Sequence, residues 1–69
     1  MTKAKKIACL ETAYDFGKRF PDVSNWDILD HVNDVEQVSI HEDSWLGHAC
    51  IVAYDGRMSE AIAMLRSVG

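Results

Sequence analysis

From residue 3 to residue 20 the apolar positions recur at helical spacing. Ile7, Leu10, Tyr14 and Gly17 make one row, and Cys9, Ala13, Phe16 and Phe20 make the row beside it. At 100° per residue these eight fall within an arc of about 160°, while Glu11, Thr12, Asp15, Lys18 and Arg19 take the opposite side. The pattern predicts an amphipathic helix with a broad buried face. Asp15 precedes Lys18 by three and Arg19 by four, the favourable order for pairs on a helix surface. The two basic residues also suit the negative end of the helix dipole, and Pro21 stops the helix.

A second helix is expected to open at Ser24. Ser24 is a good N-cap, Asp27 three residues on makes a variant of the capping box, and Val23 and Ile28 stand where a hydrophobic staple would. Ile28, Leu29, Val32 and Val35 share one face. Asp27, Asp30 and Asp34, spaced by three and four, run along the other, with His31 beside them. The expected end is Asn33 or Asp34, with the asparagine as the left-handed residue.

After Asp34 the period changes. Glu36, Val38 and Ile40 alternate with Gln37, Ser39 and His41, which predicts a half-buried strand. Glu42, Asp43 and Ser44 read as a turn, and residues 48–54 as a second strand, with the β-branched pair Ile51 and Val52 inside it and Asp55-Gly56 as the next turn. A competing reading has Ser44 capping a helix over residues 45–54, with Gly56 just past its end. Gly47 and the β-branched pair oppose that helix by only about 1 kcal/mol of propensity. The last element is a helix starting between Arg57 and Glu60 and ending at Val68, with Met58, Ala61, Ile62, Leu65 and Val68 on one face and Met64 off it. The expected fold is therefore α+β: one small domain over residues 1–69, in the order ααββα, with an antiparallel hairpin packed on helices. The alternative is an all-α four-helix domain.

Length and composition fit that size. A chain of 69 residues with 48% hydrophobic and 26% charged positions is ordinary globular material, and its core is small. Cys9 and Cys50 lie in apolar surroundings and read as buried free thiols in a reducing cytoplasm. The basic start ends its apolar run at Glu11, too short for a signal segment, and no apolar run approaches a membrane span. The expectation is a soluble cytoplasmic protein without a membrane partner.

Charge adds a further pattern. The net charge is −4, which disfavours direct nucleic-acid binding and favours a basic protein partner. Residues 20–56 contain no lysine or arginine, yet hold eight of the eleven carboxylates, both tryptophans and all three histidines. Two acidic clusters stand out, Asp27–Asp30–Asp34 with Glu36, and Glu42–Asp43, each near a tryptophan, Trp26 and Trp45. These eight residues form the candidate binding set, since exposed tryptophan among carboxylates is a suitable anchor for a basic surface.

The expected function is a small interaction module that docks on a basic, nucleic-acid-binding protein surface, as an inhibitor or nucleic-acid mimic. By size and charge it is analogous to the accessory proteins of phages and mobile elements. A second expectation is a homo-oligomeric structural or regulatory subunit, a homodimer using Trp45 and Leu46 or a spare helix face. A third is a metal or thiol site from His41, His48 and Cys50, with His48 and Cys50 on one strand face; the spacing matches no zinc motif. No nucleophile elbow, phosphate loop or oriented thiol–imidazole pair is present, so neither an enzyme nor a cofactor is expected.

Overall fold

The computed structural model describes residues 1–67. It contains four helices, α1 (Lys3–Arg19), α2 (Asn25–Glu36), α3 (Trp45–Tyr54) and α4 (Met58–Ser67), and no strand among the described residues. The α+β expectation is thus replaced by the all-α alternative. The expected end of the last helix at Val68 lies outside the described residues.

The boundaries are set by local chemistry. Thr2 caps α1, accepting a hydrogen bond from the Lys5 amide, and Ser24 caps α2 by accepting from the Asp27 amide. α2 runs past Asn33 to Glu36, and Gln37 takes the left-handed conformation at φ 55°. The Val38 and Gln37 amides then both reach the Asn33 carbonyl, satisfying acceptors that the helix end would otherwise leave free.

The alternation from Glu36 to His41 is real, but a side chain satisfies it, not a second strand. Val38 and Ile40 turn inward, whereas Gln37, Ser39 and His41 are exposed. The Ile40 amide donates to Asn33 Oδ1 at 2.8 Å, and Asn33 Nδ2 donates to the Ile40 carbonyl at 3.1 Å. The asparagine amide thus does for Ile40 what a neighbouring strand would do.

α3 is the centre of the domain. Ser44 caps it, accepting from the Gly47 amide at 3.0 Å. Gly56, at φ 89°, follows its end, with the Arg57 amide on the Val52 carbonyl. α3 packs against all three other helices. A segment apolar on most sides is read from sequence as a strand or a buried helix alike; here burial on several sides outweighs the propensity cost of Ile51 and Val52.

Gly47, which opposed the helix, is required by it. A Cβ at that position would run into the His41 and Glu42 carbonyls, so the α2–α3 connection can lie directly on the first turn of α3. Gly17 plays the same part where α1 meets the Tyr54 carbonyl.

The core comprises Cys9, Leu10, Ala13, Ile28, Leu29, Val32, Ile40, Ala49, Cys50, Ala53 and Ala61. Four of these are alanines, which lets helices approach closely. Tyr54 closes one end. Its hydroxyl donates to the Phe20 carbonyl at 2.5 Å and accepts from the Val23 amide at 3.1 Å, tying the α1–α2 connection to α3. No helix is long and apolar enough to cross a membrane among the described residues.

Candidate functional site

Asp30 of the first acidic cluster and both residues of the second, Glu42 and Asp43, line one groove between α2 and the α2–α3 connection. Its α2 wall is Trp26, Leu29, Asp30 and Asn33; its other wall is Ile40, His41, Glu42 and Asp43. The groove is shallow, about 160 Å³, with Leu29 and Ile40 buried beneath it. Trp26 is 67% exposed. Asp27 and Asp34 are exposed further along α2 and do not line the groove, so they extend its acidic field without forming its wall.

The wall carrying Glu42 and Asp43 is held by a dense turn. The Ser44 amide and hydroxyl both donate to the His41 carbonyl, at 3.1 and 2.6 Å. His41 Nδ1 accepts from the Asp43 amide at 3.1 Å. With Gly47 admitting this turn onto α3 and Asn33 fixing Ile40, both walls are anchored to the core.

The charge is not neutralised from within. Lys5 pairs with Glu36 at 3.3 Å, Arg57 pairs with Glu60 at 3.3 Å, and Lys18 lies 4.4 Å from the centre of the Tyr14 ring. Among the described residues no lysine or arginine pairs with Asp27, Asp30, Asp34, Glu42 or Asp43; Asp43 has only the long 3.9 Å approach to His41.

Two members of the expected binding set have internal roles. Glu36 accepts from Thr12 Oγ1 at 2.7 Å and from Lys5 Nζ, latching the end of α2 to α1. The Thr12 hydrogen bond first, then that of Lys5, hold its carboxyl below the ordinary carboxylate range. Trp45 is 44% exposed, but its indole N–H donates to the Met64 carbonyl at 2.6 Å, fastening α3 to the last turn of α4. Leu46 packs against the core, so the expected Trp45–Leu46 surface patch is largely spent on the fold.

The His41, His48 and Cys50 set is not assembled. On a helix, residues two apart point about 200° from each other. His48 is exposed beside Trp45 and Cys50 is fully buried. No group of three metal-ligating side chains occurs among the described residues.

Sequence reasoning missed Asn33, Leu29, Ile40 and His41 as groove residues. The only signal was the Asn33–Ile40 spacing, which has meaning once α2 is known to end beyond Asn33. No family model, curated protein or solved structure matches this chain.

Proposed function

We propose that this protein is a small helical interaction module whose Trp26 groove receives a basic side chain from a partner protein. The observation that carries it is the placing of an exposed Trp26 and Asp30 opposite Glu42 and Asp43, with no lysine or arginine among the described residues paired with any of these carboxylates. An arginine fits this chemistry best. Its guanidinium can lie on the indole face and donate to carboxylates at the same time, and its methylenes can cover Leu29 and Ile40. Asp27 and Asp34 supply the longer-range attraction that steers a basic surface to the groove.

A surface of this kind on a nucleic-acid-processing protein is the partner the acidic edge suits, with the module acting as an inhibitor in place of phosphate. The test is capture of partners from the source cell by the wild-type chain and by a variant carrying Asp30→Lys, Glu42→Lys and Asp43→Lys. A partner held by the wild type, released by moderate salt and lost in the variant supports the reading. A partner held equally by both removes it.

A further inference from the structure

A second surface lies between α1 and α4 and shares no residue with the Trp26 groove. The two helices run antiparallel, with Lys3 and Lys6 beside Leu65 and Arg66 at one end, and Tyr14 and Asp15 beside Met58 at the other. Two depressions of about 490 and 440 Å³ follow one another along the seam and share Ile7 and Ile62. Five large apolar side chains of α1 and α4, Ile7, Tyr14, Met58, Ile62 and Leu65, line the seam and all remain only partly buried. α1 and α4 also contribute the small buried residues Ala13 and Ala61.

Charge along this seam is polar. Lys3, Lys6 and Arg66 line one half, and Glu11 and Asp15 line the other. Lys18 beyond them is drawn onto the Tyr14 ring. We infer that this seam is a two-fold interface with a second copy of the same chain. A two-fold axis across the seam at Ile7 and Ile62 lays the basic half of one copy on the acidic half of the other. It also places Lys3, four residues before Ile7, opposite Glu11 of the second copy, four residues after it. Such self-complementarity is what an isologous contact demands. A uniformly basic or acidic partner would match one half and oppose the other.

The scale is also suitable. A standard interface takes about 800 Å² from each partner, roughly a fifth of the 4361 Å² surface of this chain. A two-helix seam is a feature of that size. A domain this small gains most from covering its partly exposed aliphatic residues in this way. The Trp26 groove of each copy stays open, so a dimer would present two docking sites.

The test is sedimentation equilibrium of the full chain from micromolar to millimolar concentration. Alongside it run Lys3→Glu with Lys6→Glu in one variant and Glu11→Lys with Asp15→Lys in another. The wild type is expected to be a reversible dimer. Each variant alone faces like charge with like and should dimerise at least about tenfold more weakly. An equimolar mixture of the two should pair again, as acidic seam meets basic seam. Circular dichroism checks that both fold. In parallel, carbodiimide treatment of mixed isotope-labelled and unlabelled wild type should join Lys3 to Glu11 between copies, which needs no substitution. A wild-type monomer at every concentration, a dimer indifferent to both variants, or variants that do not pair on mixing would each overturn the inference.

Discussion

The side-chain amide of Asn33 holds the backbone of Ile40 by two hydrogen bonds, one given and one received. This places the α2–α3 connection and so sets the width of the Trp26 groove. Asn33→Ala should cost about 1–3 kcal/mol, because both partly buried backbone groups of Ile40 lose their partner. Asn33→Asp keeps the acceptor and loses the donor, and should fall between. Urea unfolding of the three chains checks the order.

Gly47→Ala and Gly17→Ala should each destabilise the protein by about 1–3 kcal/mol, since a Cβ would meet carbonyl oxygen in both places. The sign is the informative part. At an open helical position the same change would stabilise by roughly 1 kcal/mol. Gly56→Ala meets no neighbour and tests the left-handed backbone at φ 89° alone. Melting temperatures of the three variants separate crowding from conformation.

Glu36 makes the acid limb of stability specific. Its folded carboxyl lies below the ordinary value of 4.5, so the unfolded chain binds more protons between the two. Its contribution is therefore complete above the ordinary value and is lost as pH falls through the folded one. Glu36→Gln should flatten the fall in stability below about pH 4.5, and Thr12→Val should do so in part. Denaturant midpoints measured across that range check it.

Cys50 sets the alkaline limb. Burial, and then the neighbouring Cys9, push its thiol up from 9.0 to about 12. The folded form thus holds its proton where the unfolded chain gives it up, and the stability so conferred is complete below the ordinary thiol value and lost as pH rises through the folded one. At neutral pH both thiols should react with a disulfide reagent only as fast as the protein opens. Added denaturant should raise the rate in step with the unfolded fraction. Rapid modification of either native thiol would contradict this placing.

The first, second and fourth helices could be read from the sequence because each has one apolar face, and the first two also show a stop at Pro21 and a cap at Ser24. Residues 45–54 could not, because a helix at the centre of the domain has no polar face to show its period. Gly47 was misread for a related reason: its conformational cost is visible in the sequence, while the carbonyls that require it come from a connection six and five residues earlier. Of the site, Trp26, Asp30, Glu42 and Asp43 could be read as charge beside an aromatic ring. Glu36 could not be separated from them, since its partners Thr12 and Lys5 are remote in the chain.

The most direct test of the docking reading is Trp26 fluorescence. It would be followed in a Trp45→Phe background during titration with an arginine-rich peptide, with a glutamate-rich peptide of equal length as the control. The expected result is saturable quenching by the basic peptide alone, weakened by salt and abolished by Asp30→Lys with Glu42→Lys and Asp43→Lys. Trp26→Ala in the wild-type background should also weaken binding measured by calorimetry, although the charge is unchanged. Quenching that survives the charge reversal, or calorimetric affinity indifferent to Trp26, would contradict a site in this groove.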